Sequence, residues 1–308
     1  MSVTPTHTPY DGSTKPFTIG LKPLDLDEWI EVDDDIDAYL AEKDRLHAQI
    51  PDKVFVEERD TRQAQQEVLD LLASYLPGRF PETYRRYGDA LLVGRIRRQV
   101  LDDGSPPLLI AARLVQEDLV LMRKSEDGWR LVAATLCFPA SWSLQEKFGR
   151  PLQDIHAPVP GFGRGTRTAD IIGRIFDSLA AAQPVERRNW SLQAGGDLYK
   201  PLSGAERTER AVVRPSRFPE ADIAAHAFMR VERQTLRKLP ESGDILFTIR
   251  TYLDPIERLA RHPDRARIAA SFADQLAALE GSQLDYKGLT ADRDRLVSAL
   301  RTIAADAT

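Results

Sequence analysis

The stretch Asp118-Leu-Val-Leu-Met-Arg-Lys-Ser-Glu-Asp-Gly128-Trp-Arg-Leu-Val-Ala-Ala-Thr-Leu-Cys137-Phe138 decides the fold class. Two apolar runs too short for ordinary helices flank Asp127-Gly128, a dipeptide suited to a tight turn between antiparallel strands. Upstream, Leu91 to Ile96 opens a strand-like section, Pro106-Pro107 marks a turn, and Leu108 to Val115 is expected as a further strand of the same meander. Downstream, Pro139 ends the run. A second pair of strands is expected at Ala227 to Arg237 and Ile245 to Leu253, joined through Pro240 to Asp244.

Helical patterns surround these strands. Ala64, Val68, Leu71, Leu72, Tyr75 and Leu76 follow helical spacing, with Pro77-Gly78 as the stop. The acidic run Glu31 to Asp37 suits a helix start, since acids complement the positive end of the helix dipole; it lacks the Gly and closing Glu of a calcium loop. Ser141 or Ser143 caps a short helix near Glu146. Ile171, Ile172, Ile175, Phe176 and Leu179 mark an amphipathic helix over 168–182. Residues 194–220 read as an irregular connection. A helix begins at Asp254-Pro255, and Thr290 caps a last one. Clustered strands with helices before and after them predict an α+β fold around an antiparallel sheet. The expected organisation is a flexible Thr/Pro-rich tail over 1–16, a main domain over 17–260 opened by an extended arm to Ile30, and a helical extension over 261–308.

Composition narrows the function. The chain has 308 residues and a net charge of −5, which disfavours a general nucleic-acid binder. No apolar run approaches a membrane span, and no secretory leader is evident. Cys137 is the single cysteine. That excludes an internal disulfide, a four-thiolate iron–sulfur cluster and c-type haem attachment, and it fits a reducing, cytoplasmic setting.

Among five histidines, His156 stands apart. Ile155 precedes it, and Ala157-Pro158-Val159-Pro160 follows, so the ring sits in a stiff apolar loop. Neutral imidazole in such a setting suits an axial haem ligand, or a buried histidine satisfied by a backbone partner. The Gly161-Phe-Gly163-Arg164-Gly165 loop lacks a nucleotide-binding context. It leads into a helix start where Arg164 and Arg167 are placed to hold carboxylates, or stand in solvent. Cys137 fits a small core residue, with a thiolate haem ligand or a nucleophile as the alternatives. On the 227–253 hairpin, Arg230, Glu232 and Gln234 alternate along one strand, and Thr248, Arg250 and Tyr252 along the other. If these faces are covered, Glu232 and Arg250 are expected to pair, and a covered Glu232 is a candidate acid/base.

Several segments taken together resemble a known family. They are Trp129-Arg-Leu-Val-Ala-Ala, Cys137-Phe-Pro-Ala-Ser-Trp142, Lys147-Phe-Gly-Arg-Pro-Leu-Gln-Asp-Ile-His156-Ala-Pro-Val-Pro-Gly161, Glu186-Arg-Arg-Asn-Trp190, Arg230-Val-Glu-Arg-Gln-Thr-Leu-Arg-Lys-Leu-Pro240 and Phe247-Thr-Ile-Arg-Thr-Tyr252. Over roughly residues 17–260 the chain is similar to the haem-dependent oxidative N-demethylase alpha-subunit-like proteins. The resemblance implies a PAS-like haem-binding core and oxidation of a small methylated amine such as dimethylamine by haem b and O2, releasing formaldehyde. It implies electrons from NADPH through a separate reductase carrying FMN and a 2Fe–2S cluster, and it leaves a homo-oligomer open. It makes His156 the axial ligand; Trp142, with Arg164 and Arg167 from the loop reading above, completes the expected cofactor-binding set. Glu232, Arg233 and Arg250 are the catalytic candidates, taken from the hairpin rather than from the family. A haem-binding gas sensor or carrier, and a haem-free scaffold, are the competing expectations.

Overall fold

A computed structural model describes residues 4–305. Its strands, in chain order, are β1 (Lys22–Pro23), β2 (Phe55–Glu57), β3 (Tyr84–Tyr87), β4 (Ala90–Val93), β5 (Arg97–Val100), β6 (Asp118–Ser125), β7 (Gly128–Thr135), β8 (Val185–Ala194), β9 (Ala227–Lys238) and β10 (Ile245–Pro255). Seven of them form one sheet in the order β1-β8-β9-β10-β6-β7-β2, while β3-β4-β5 form a small separate meander. Every pairing is antiparallel. The fold is therefore α+β.

The β6–β7 turn forms as expected. Gly128 takes φ +97°, a conformation that disfavours a side chain. The β9–β10 hairpin also forms, with Arg250 opposite Arg233 and Thr251 opposite Glu232. Directly opposed residues share a face. Arg250 and Glu232 therefore lie on opposite faces of the sheet, and the expected pair does not exist.

Other expectations fail for local reasons. Leu108 to Val115 is not a strand: Pro107–Ala112 is a helix with Pro106 at its N-cap. Proline at the first helical position lacks only an N–H that would be unpaired anyway, so Pro106-Pro107 starts a helix rather than a turn. The helix Arg62–Arg79 runs through Pro77 into its last turn. Val185–Ala194 is an interior strand, although its sequence looks solvated. Within 194–220, the helix Gly204–Val213 closes with a capping box between Ser203 and Glu206. The amphipathic helix spans Arg167–Ser178.

Apolar clusters cover both faces of the sheet. One face packs against the helices Ile36–Gln49 and Arg62–Arg79 through Leu40, Val68, Leu72, Leu119, Leu121 and Val132. Further along that face, Trp190, Val231 and Tyr252 pack against Phe272, Leu276 and Leu300 of the C-terminal helices. The 261–305 segment thus shares a core with the sheet rather than extending from it. The described part of the expected tail is also docked. Tyr10 is fully buried, stacks on Phe272 at 4.1 Å and donates to the Met229 sulfur at 3.1 Å. Among the described residues no helix is long and apolar enough to cross a membrane.

Two polar hubs tie this core together. Lys43 is fully buried and donates to the carbonyls of Ala112 (3.3 Å), Val115 (2.9 Å) and Glu117. Asp118 accepts the backbone N–H groups of Cys137 and Phe138, each at 2.8 Å. At the other hub Glu31 meets His7 at 2.8 Å, Arg233 at 3.2 Å and the Tyr252 hydroxyl. Burial would raise the Glu31 carboxyl, but His7, Arg233 and Tyr252 outweigh it and hold it at about 2, below its ordinary 4.5. A depressed acid stabilises the fold above its unfolded value, and that contribution is lost as pH falls through the folded value. Glu31→Gln should therefore destabilise the chain at pH 7, and its deficit against the parent should shrink between pH 4.5 and 2. Urea unfolding across that range checks this; a deficit independent of pH would contradict it.

Candidate functional site

The second face of the sheet carries the cavity. β8 supplies Arg187, Asn189, Ser191 and Gln193 on this side, while Trp190 and Leu192 turn to the C-terminal helices. Glu232 and Gln234 of β9 lie beside them, with Asn189 opposite Glu232 and Arg187 opposite Gln234. Phe247, Ile249, Val120, Met122 and Leu131 continue the floor through β10, β6 and β7 as an apolar surface. The floor is thus polar at one end and apolar at the other.

Three other stretches complete the walls. The N-terminal arm adds Phe17, Ile19 and Leu21. The 142–176 segment adds Trp142, Lys147, His156, Phe162, Ile172 and Phe176, and the C-terminal helices add Tyr286 and Lys287. The enclosed volume is about 430 Å³, within the range usual for cofactor and ligand sites.

His156 follows the short helix Leu152–Ile155 as its C-cap, with its N–H donating to the Leu152 carbonyl at 3.0 Å. Its carbonyl accepts from Val159, and the ring meets Phe162 edge-on at 6.3 Å. Burial, reinforced by the Lys147 and Arg187 cations, pushes the imidazole down to about 4, so the ring is neutral at physiological pH. Neither ring nitrogen has a protein hydrogen-bond partner among the described residues. The alternative of a buried histidine satisfied by the backbone therefore lacks its partner. Trp142 stands nearby with the Lys147 ammonium 3.9 Å from its ring centroid, a cation–π contact.

The other expected site residues divide. Glu232 lines the cavity and accepts from Arg230 at 3.2 Å and Gln234 at 3.0 Å. Arg233 and Arg250 do not reach it. Arg233 lies on the opposite face and donates to Glu186 at 2.7 Å and to the Trp29 carbonyl at 3.1 Å. Arg250 binds Asp33 at 2.6 Å. Their partners Glu186, Trp29 and Asp33 sit on β8, on the N-terminal arm and in the acidic run after it, rather than in the cavity. Arg164 is 61% exposed and paired with Asp154 at 3.1 Å. Arg167 is exposed, and neither arginine lines the cavity. The Gly-rich loop turns its cations to solvent. Cys137 is buried in the core, where burial above all lifts its thiol far above the ordinary value, so it is no thiolate.

The cations that do line the cavity are Lys147, Arg187, Lys200, Arg210, Arg217 and Lys287, and none was singled out from sequence. They come from the short 144–147 helix, β8, the 194–220 connection and the C-terminal helices. A faint signal existed for two of them: Lys147 opens the Lys147 to Gly161 segment, and Arg187 falls in the Glu186-Arg-Arg-Asn-Trp190 segment. No group of three or more His, Cys, Asp or Glu side chains able to hold a bare metal ion occurs among the described residues. A metal carried inside a flat organic ligand needs only one protein ligand, and that is what the cavity offers. A neutral histidine, apolar walls and surplus cations for carboxylates together fit haem. A family model described as haem-dependent oxidative N-demethylase, alpha subunit-like, matches residues 20–297.

Proposed function

Because the chain belongs to that family, we propose that its cavity binds haem b with His156 as the axial ligand, and that it oxidatively removes a methyl group from a small N-methylated amine. The observation that carries this is His156 itself: a neutral imidazole lining an apolar-walled cavity, with no hydrogen bond on either ring nitrogen. We also read the antiparallel sheet as the PAS-like core that the resemblance implies. The overall change consumes amine, O2, two electrons and two protons, and yields the demethylated amine, formaldehyde and water.

Haem, when bound, supplies O2 activation. The chain's residues do the rest. Phe162 presses edge-on against the His156 ring and limits its rotation. Trp142, Phe176 and Phe247 exclude water from the apolar end. Glu232, the one carboxylate among the described residues lining the cavity, is held by Arg230 and Gln234 and can hold or pass a proton at its free lone pairs. With Cys137 as the only cysteine, the chain cannot itself carry a 2Fe–2S cluster. Electrons then come from NADPH through an FMN and 2Fe–2S partner, in keeping with the alpha-subunit description and with a cytoplasmic setting.

The test is an absorption spectrum of the haem-reconstituted protein, followed by formaldehyde release from a panel of methylamines with NADPH and a ferredoxin-type reductase. A Soret band at one haem per chain and amine-dependent formaldehyde are expected. Absence of the band ends the proposal. A band without turnover of any amine points to a sensor or carrier.

A further inference from the structure

The charge lining the cavity exceeds what haem alone would balance. Among the described residues lining it, six cations face one carboxylate, Glu232. Lys200 is paired with Asp197 at 3.2 Å. The other five form no ion pair among the described residues. Their contacts are with neutral groups. Lys147 sits over the Trp142 ring, and Lys287 donates to the Trp190 carbonyl at 2.5 Å. Arg210 donates to the Ser141 hydroxyl at 3.1 Å and the Tyr286 carbonyl at 2.8 Å, and Arg217 to the Lys287 carbonyl at 3.1 Å. The Arg187 side chain makes no hydrogen bond among the described residues, and the Nε atoms of Arg187 and Arg210 are buried without partners.

Cations withdrawn from water without counter-ions are unfavourable. Burial above all accordingly lowers Lys147 to about 7, Lys287 to about 8 and Arg210 to about 10. Two propionates would neutralise two of the five unpaired cations and leave a positive remainder. The polar end of the floor also sets opposite charges near one another. Arg187 and Asn189 on β8 stand across from Gln234 and Glu232 on β9, all four facing the cavity. Positions two apart on a strand lie about 7 Å from one another, a spacing suited to a small ligand bearing both charges.

We propose that the substrate of this cavity is an N-methylated amino acid, its carboxylate taken by Arg187 and Lys287 and its ammonium by Glu232, rather than an uncharged-tail alkylamine. This rests on the demethylase function proposed above and names its substrate class. A simple dialkylamine offers nothing to Arg187 and adds a further cation to a basic cavity. A zwitterion supplies the missing carboxylate and still presents its N-methyl group.

The probes are N,N-dimethylglycine, dimethylamine and acetate, titrated by calorimetry into the full chain with and without haem. Loss of a charge-assisted hydrogen bond in a partly desolvated site weakens binding by about tenfold or more. N,N-dimethylglycine should therefore bind at least about tenfold more tightly than dimethylamine or acetate. Arg187→Gln should remove most of that preference and Arg187→Lys should restore part of it. Lys287→Met, read in the same way, serves if an Arg187 variant does not fold. Dimethylamine or acetate binding as tightly as N,N-dimethylglycine overturns the proposal, as does a preference unchanged in both Arg187→Gln and Lys287→Met. Failure to take up haem removes the demethylase function instead, because ligand preference is measured separately on the chain without haem.

Discussion

His156→Ala is expected to abolish stoichiometric haem uptake: the Soret band at one haem per chain should disappear, and added imidazole should restore it. Changes one shell beyond a metal ligand already cost about 10–100-fold in affinity. Removing the ligand itself should cost more, because among the described residues the cavity is lined by no second histidine and no thiolate, and Cys137 is buried elsewhere. The Ala variant should fold normally, since the His156 ring makes no hydrogen bond whose loss would strand a partner. Arg164→Gln and Arg167→Gln are the contrasting controls. Both side chains are exposed and outside the cavity, so haem affinity should change by less than about twofold, as for ordinary surface substitutions. Full haem retention in His156→Ala would sink the ligand assignment.

Asp118→Ala should cause a large loss of stability. Each carboxylate oxygen accepts one buried backbone N–H, from Cys137 and Phe138. The fully buried Lys43 ammonium is its neighbour in charge. Burial lifts the Asp118 carboxyl to about 6 against the pull of Lys43 and those two N–H groups, so it is ionised at pH 8. Its removal leaves two buried donors without acceptors. Leaving a buried donor unsatisfied costs about 1–3 kcal/mol each. Urea unfolding at pH 8 measures it as a lowered midpoint with unchanged slope. Asp118→Asn should lose less, because its amide oxygen still accepts one of the two N–H groups. A loss under about 1 kcal/mol for Asp118→Ala would show that the hub is dispensable.

The parts of the fold that could be read from sequence are those where pattern and turn chemistry agree. β6, β7, β9 and β10 alternate or run apolar and meet at Gly-bearing links, and all four form within a few residues of their expected bounds. β8 was illegible because its cavity-facing half, Arg187, Asn189, Ser191 and Gln193, imitates a solvated segment. A cavity looks like water to any periodicity argument. The 107–112 helix was illegible for another reason: six apolar residues have no period long enough to separate helix from strand, and the prolines mark a helix start as readily as a turn. At the candidate site, the stiff apolar neighbours of His156 singled it out, and it lines the cavity. The cations that line the cavity could not be singled out, since Lys147, Arg187, Arg210 and Lys287 converge only through tertiary packing, while Arg164 and Arg167 lie nearer in the chain and point away.

The cavity draws its walls from Phe17 at one end of the sequence to Lys287 near the other. A fragment cut at residue 260 to isolate the sheet would lose Tyr286 and Lys287 from the cavity wall, and it would expose Trp190, Val231 and Tyr252 where the C-terminal helices pack. One begun at residue 24 would lose Phe17, Ile19 and Leu21. The smallest portable unit of this protein is therefore nearly the whole chain. Fusions and purification tags belong beyond its ends, and domain-swapping designs should exchange it entire.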